Sequence, residues 1–278
     1  MSQNQKINLT GILGKSLGIL WLIDGLLQLQ PKMFGMDFVN NVLSPNLSGQ
    51  PAFLHALIAF GIRLFSSNTV VANCIAAVLQ IVIGILLLCP IESEKFKLGL
   101  YLSIAWGLVV WIFGEGLGGL FTGSASLYTG APGAALIYAL IAACFLMPKK
   151  ITSRLFANLG ALVLLLGAAL QLQPMFWSSV GSQMLFQNFL PNSVSAHPTG
   201  FNWFLIIVPL LLAAALFFKP GRATASITIL FLFLVWWLGQ DFGGLSTVWI
   251  GTATDVNTAP LIMLLVLPFA WIAPRLTF

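Results

Sequence analysis

The chain has 278 residues, of which 59% are hydrophobic and only 7% charged. A water-soluble domain carries about 25% charged residues, so this composition argues against a soluble enzyme and for an integral membrane protein. The formal net charge of +5 comes from basic residues in twos and threes beside apolar runs, as the positive-inside bias predicts, so it calls for no nucleic-acid partner.

Eight apolar segments approach the roughly 20 residues that a bilayer core demands: 9–29, 69–88, 98–114, 132–147, 155–172, 202–218, 223–239 and 260–273. In the first, Trp21, Asp24 and Gln28 share a helical face through i, i+3 and i+7 spacing. No small-residue cleavage site follows that run, so it reads as a span and not as a signal peptide. A long connection, 31–68, comes next. Its stretch "PAFLHALIAFGIRLF" sets Phe53, Leu57, Ile58 and Phe65 on one face with Arg63 to the side, which suits a helix lying in the membrane interface.

The second segment carries a small and polar stripe of Asn73, Ala77, Gln80 and Gly84 that invites close approach by a neighbour. The third ends in "GEGLGGLFTGSASLYTGAP", where Glu115 stands among Gly118 and Gly119. Glycines there permit a sharp turn at the helix end. The seventh ends in "GQDFGGLSTVWIGTATDVNTAP", with Gln240, Asp241, Gly243 and Gly244. Irregular backbone at membrane depth persists only where protein covers it or it lines a cavity, so both stretches read as re-entrant turns. The rival reading is a solvated loop, which would not need glycines in matched places.

Cys74, Cys89 and Cys144 are isolated and form neither a disulfide framework nor a thiol metal site. His55 and His197, with Met33, Met36, Met175 and Met184, lie in the outer connections. Such ligands suit copper, but their spacing is no recognised site, and no metal site is assigned. Placing every Lys and Arg in its gap puts Lys6, Lys15, Lys95, Lys97, Lys149, Lys150, Arg154, Lys219, Arg222 and Arg275 on one side and Lys32 and Arg63 on the other. That asymmetry predicts a multi-pass protein of the inner (cytoplasmic) membrane with both termini cytoplasmic.

The two halves repeat. "LQLQPKMF" (27–34) returns as "LQLQPMF" (170–176), and Trp111, Gly114, Gly118, Gly119 and Leu120 match Trp236, Gly239, Gly243, Gly244 and Leu245. After a three-residue insertion "GSASLYTGAP" matches "GTATDVNTAP". An even number of crossings per half makes this a parallel repeat. The expected fold is an all-α integral membrane protein of about eight transmembrane helices, arranged as two parallel-repeat four-helix bundles, residues 1–148 and 149–278.

The first half, "LGILWLIDGLLQLQPKMFGMDFVNNVL" followed by "SSNTVVANCIAAVLQIVIGILLLCP", resembles the DoxX/DoxD group. These are small four-helix membrane proteins that include the membrane subunit of thiosulfate:quinone oxidoreductase. The shared features are a glycine-interrupted first helix, a long outer connection and a second helix ending in an "xGxxLLLG"-like run, over roughly residues 14–90. The group usually carries a glutamate on helix two where Gln80 stands here. The resemblance implies a quinone-associated subunit or accessory of a membrane redox system, with quinone as ligand and a partner subunit supplying any metal cofactor.

Ionisable residues in a span cost about 2.5 to 3.5 kcal/mol each on insertion scales and mark function. The expected site therefore joins Asp24, Glu115 and Asp241 as proton-handling residues with Gln28, Gln80, Gln171 and Gln240 as ligand-binding residues, turned by Gly118, Gly119, Gly243 and Gly244. The competing reading is a transporter or permease whose substrate cavity is formed by the re-entrant turns of both repeats; a structural assembly factor is a third. Monomer and homo-oligomer are both open.

Overall fold

The computed structural model describes residues 9–186, 197–248 and 251–271. Lys6, Arg275 and the side chains of Lys149 and Lys150 lie outside what is described, as do parts of the second outer connection. The fold is 81% helical, with no strand among the described residues. Its principal helices are α1 (Leu9–Leu27), α2 (Ala52–Ser67), α3 (Thr69–Leu88), α4 (Glu94–Val109), α5 (Ala134–Leu146), α6 (Lys149–Leu170), α7 (Pro198–Phe218), α8 (Arg222–Leu238) and α9 (Thr258–Trp271).

Four of these are long and apolar enough to cross a membrane: Thr10–Leu27, Thr69–Leu88, Glu94–Gly114 and Pro198–Phe218. A fifth arises if Arg222–Leu238 and Asp241–Thr247, bent by 48°, form one broken span. Side chains such as Val78, Ile85, Leu108, Leu211 and Leu230 stand exposed on their outer faces, an apolar surface that water would not tolerate. The shorter α5 and α9 are buried nearly all round, from Ala134 to Cys144 and from Ala259 to Ala270. They touch each other and form the axis of the molecule, with α1, α3 and α4 on one side and α6, α7 and α8 on the other.

Local chemistry sets the helix ends. Asn68 Oδ1 accepts from the Val71 amide at the start of α3, and Ser93 Oγ from the Phe96 amide at the start of α4, each satisfying an orphan donor. Arg154 donates to the Phe217 carbonyl at the end of α7, and Arg222 to the Ala270 carbonyl near the end of α9. Cations thus sit where the helix dipole is negative. Helix α2 differs from expectation in its facing: it buries Leu54, Ile58 and Ile62, while Phe53, Leu57, Phe60 and Leu64 are exposed. The cause is Gly61, against which the Phe113 ring seats, turning that side of the helix inward.

The stripe on α3 is buried along its length at Asn73, Ala77, Gln80 and Gly84. Gly18 of α1 and Gly84 meet there: a Cβ built at Gly18 would lie 2.9 Å from the Gly84 carbonyl oxygen, and one at Gly84 2.8 Å from that of Gly18. Backbone cannot retreat as a flexible side chain can. Gly18→Val is therefore expected to destabilise the protein by about 1–3 kcal/mol through overpacking, read as a fall in the thermal unfolding midpoint in detergent.

Candidate functional site

The site is built on the two glycine-rich stretches. In the first, Leu117, Gly118 and Gly119 are left-handed, with φ of 57°, 61° and 69°; in the second, Phe242, Gly243 and Gly244 are, with φ of 52°, 70° and 73°. A Cβ at Gly118 would collide with the Pro132 carbonyl, and one at Gly243 with the backbone of Asp255 and Val256. The glycines let each turn lie flat against the segment that leads into the next helix.

Corresponding residues of the two copies then make corresponding bonds. Trp111 Nε1 donates to the Pro132 carbonyl (2.7 Å) and Trp236 Nε1 to that of Val256 (2.8 Å). Glu115 Oε1 accepts from the Ala135 amide (3.0 Å) and Gln240 Oε1 from that of Ala259 (3.1 Å). Asn73 Nδ2 donates to the Gln28 carbonyl, and Asn202 Nδ2 to that of Gln171. One pair crosses between the halves: Gln30 Nε2 donates to the Ala253 carbonyl, and Gln173 Nε2 to that of Ala125.

These bonds correct the register of the second glycine-rich stretch. Ala125 and Ala253 do correspond, but Pro132 takes the role of Val256, not of Pro260. The first copy thus holds four more residues before its helix. Among them is Tyr128, which is buried against Phe186 and Phe231, its hydroxyl donating to the Leu205 carbonyl at 2.9 Å. Leu205 needs that donor, because Pro209 one turn later has no N–H to offer. Burial pushes the Tyr128 hydroxyl above its usual range, so it stays a donor.

By the same correspondence, the walls around Tyr128, namely Leu205, Phe231, Val235 and Ala259, answer to Ala76, Trp106, Val110 and Ala135 in the other half. Those four line a cavity of about 610 Å³, within the range of sites for small molecules. So one of two matching frames is filled by the chain's own phenol ring, and the other encloses a cavity. Beside Tyr128, Leu127 packs on Gly167; at the matching place, Asp24 faces Asp255.

The cavity has Trp21, Phe38, Phe60, Phe65, Phe113 and Tyr138 in its walls. Trp21 is held by a 2.9 Å bond to Ser103 Oγ and lies 4.2 Å, centroid to centroid, from Tyr138. Several buried polar atoms of this wall have no well-formed hydrogen bond among the described residues: Gln80 Oε1, Glu115 Oε2 and Trp106 Nε1, while the Tyr138 hydroxyl and the Asp24 carboxyl lie beside each other with loose geometry. Orphaned groups of this kind are rare in a packed interior and call for an explanation. Among the described residues no Lys, Arg or His lines the cavity.

Burial, reinforced by the Asp255 carboxylate, pushes Glu115 up to about 8, against the opposing effect of its bond from Ala135. Burial also raises Asp255, although Thr254 Oγ1 and the Asn257 amide both donate to it. Glu115 therefore holds a proton at neutral pH and releases it just above. Gln240 shows what the frame itself requires: its amide is fully used, donating to the Leu127 carbonyl and to Thr258 Oγ1. Glu115 keeps the shared acceptor role and leaves its second oxygen unbonded.

The structure brings Asp24, Gln28, Gln80 and Glu115 to this one cavity. It does not bring Gln171, Gln240 or Asp241 there. Gln171 donates to Ser126 Oγ, and Gln240 braces the filled frame. Asp241 is half-buried at a left-handed turn position (φ 45°) and lines neither this cavity nor the polar one beside it. Gly118 and Gly119 line the polar cavity, whereas Gly243 and Gly244 turn the chain elsewhere. The acid that the second half contributes is Asp255, and the signal for it lay in its pairing with Leu127 once the halves are aligned. His55 and His197 are exposed and Met33 is buried in the core of the outer connection; among the described residues no group of three His, Cys, Asp or Glu is placed to hold a metal ion.

Because Glu115 is raised from an ordinary value near 4.5 to about 8, the folded state binds more protons than the unfolded one between those values. Stability is thus greatest below the ordinary value and falls as pH rises towards 8. Glu115→Gln, which keeps the acceptor for Ala135 as Gln240 does for Ala259, is expected to fold and to flatten that decline. Unfolding midpoints of both proteins from pH 5 to 9 provide the check. No family model matches the chain, and no curated protein or solved structure is significantly similar to it.

Proposed function

We propose that the chain is a DoxX/DoxD-like membrane protein that binds a quinone or quinol ring and serves as a quinone-associated subunit or accessory of a membrane redox system. The observation that carries this is Tyr128: the frame matching the cavity is filled by an aromatic ring bearing a phenolic hydroxyl, the chemical outline of a quinol head group. The cavity's orphaned atoms suit both forms of such a ring. Trp106 Nε1 is a donor for a quinone oxygen and Gln80 Oε1 an acceptor for a quinol hydroxyl, and the Tyr138 hydroxyl and Asp24 carboxyl, which lie beside each other, can exchange that contact for one to the ring. Glu115 holds or takes a proton near neutral pH. In quinone reduction the two electrons come from a carrier on a partner subunit, and the two protons that complete the quinol are taken up at the site.

In this reading the chain crosses the bilayer eight times, as two parallel four-helix repeats with both termini cytoplasmic. The matched bonds of Trp111 and Trp236, Glu115 and Gln240, and Asn73 and Asn202 support the repeat. The span of α5 is short, 13 residues, about 20 Å at 1.5 Å per residue, and the glycine-rich turn covers the remaining depth. A reporter fused after Phe278 should read as cytoplasmic, and an external signal would overturn the topology.

The transport alternative draws on the polar cavity that adjoins the apolar one at Glu115 and Asp255. Binding of a short-tailed benzoquinone by the detergent-solubilised protein separates the two. Quinone should bind, and Ala76→Phe, which places a ring where Tyr128 stands in the other frame, should weaken it by about tenfold or more, ~1.4 kcal/mol. Binding unaffected by Ala76→Phe, or none at all, would refute the quinone site. Saturable binding of a lipophilic organic cation in its place would favour transport. In a host lacking the native protein, Asp24→Asn should lose thiosulfate-dependent quinone reduction at normal membrane abundance.

A further inference from the structure

A second cavity of about 410 Å³ lies against the first. The two share six lining residues: Val42, Gly114, Glu115, Ala134, Thr254 and Asp255. Of these only Glu115 and Asp255 are titratable. The chemistry on the two sides differs sharply. One side is aromatic and aliphatic. The other is lined by Asn46, Gln50, Thr122, Ser124, Thr129 and Asn257, with the carbonyl-rich backbone of the glycine turn. Ser124 and Thr129 at its rim are exposed, so the polar cavity opens to the surface.

We propose that this polar cavity is an aqueous vestibule and that Glu115, set in the wall between the two cavities, exchanges protons with its water. The partition is built for that purpose. Glu115 Oε1 is pinned by the Ala135 amide, and Oε2 is buried against Gly133 of the vestibule wall with no well-formed hydrogen bond, so one oxygen fixes the carboxyl and the other is left to carry the proton. Gln50 Oε1 is a second buried acceptor with no partner among the described residues, and it lines the vestibule. A carboxylic acid cannot pass its proton to a hydrocarbon wall, but it can pass it to water as hydronium and regain it by the reverse step. Asp24, Tyr138 and Asp255 are the other titratable groups lining the two cavities, and no Lys, Arg or His lines either among the described residues. No cation therefore pins the Glu115 carboxyl in its charged form.

This inference rests on the site described above, but its test uses no quinone, so failure of the quinone reading and failure of the vestibule are distinguishable. Hydrogen–deuterium exchange of the protonated Glu115 carboxyl is followed by attenuated-total-reflection infrared spectroscopy at pH 6. The band is assigned by its loss in Glu115→Gln. In a background with Cys74 and Cys89 replaced by serine, Ser124→Cys is coupled to a bulky anionic thiol reagent, with coupling confirmed by mass. Thr129→Cys provides a second anchor on the same rim. Coupling at either position should slow exchange of the Glu115 carboxyl by about tenfold or more, on the order of what one proton-transfer partner contributes. Ala76→Phe, which fills the apolar cavity, should leave it unchanged. Three results would overturn the proposal: no protonated Glu115 band at pH 6, exchange unaffected by coupling at both positions, or exchange slowed by Ala76→Phe.

Discussion

A backbone inside a bilayer has no water to satisfy its amides and carbonyls, so every interruption of a helix must be bonded by the protein itself. This chain interrupts its helices twice, at two glycine-rich turns, and much of the remaining architecture follows from closing those gaps. Trp111 and Trp236 take up one carbonyl each, Glu115 and Gln240 one amide each, and Gln30 and Gln173 reach across to the opposite turn. The glycines are needed because the bonded segments approach closer than a Cβ permits. Polar side chains that look like a catalytic inventory in the sequence are in large part stitching for exposed backbone.

Comparing the two matched sets of bonds separates the stitching from the chemistry. Gln240 and Glu115 perform the same structural task, so the task does not need a carboxylate. Gly167 and Leu127 pack where Asp24 and Asp255 face each other, so that contact does not need charge either. The matching residues of the other half do without a carboxyl at these places, and all three acids surround the one frame that the chain leaves open. A buried acid without a cation costs stability, and retaining three around a single cavity is intelligible if the cavity handles a proton.

Much of this was legible in the residues. Apolar runs located the principal helices, the i, i+3, i+7 face brought Trp21, Asp24 and Gln28 to one wall, and the helix-end glycines marked the turns. Alignment of the halves sets Asp255 against Leu127, but its place in the first-half cavity was not legible, because each glycine-rich stretch bonds to the opposite half through Gln30 and Gln173 and a linear alignment does not show that crossing. Asp241 attracted attention because it stands next to the residue matching Glu115, yet a one-residue displacement at a left-handed turn sends its side chain away from the cavity. The facing of α2 was misjudged for a related reason: its hydrophobic residues encircle the helix, and only the seating of Phe113 on Gly61 decides which of them turn inward.

The crossed glutamine bonds also bear on how the protein is made. Gln30 bonds to a carbonyl 223 residues further along the chain, and Asp255, which completes the first-half cavity, is synthesised later still. The ribosome delivers about 5–20 residues per second, so Gln30 waits on the order of ten seconds or more for its acceptor, whereas the first turn receives its crossing bond from Gln173 only 48 residues after Ala125. During that interval Gln30 and the wall around Asp24 stand without the second-half groups, Ala253 and Asp255, that complete them. The early half is thus an incomplete object whose polar face must be sheltered until the last helix arrives, which makes insertion, more than the final packing, the vulnerable stage in this protein's biogenesis.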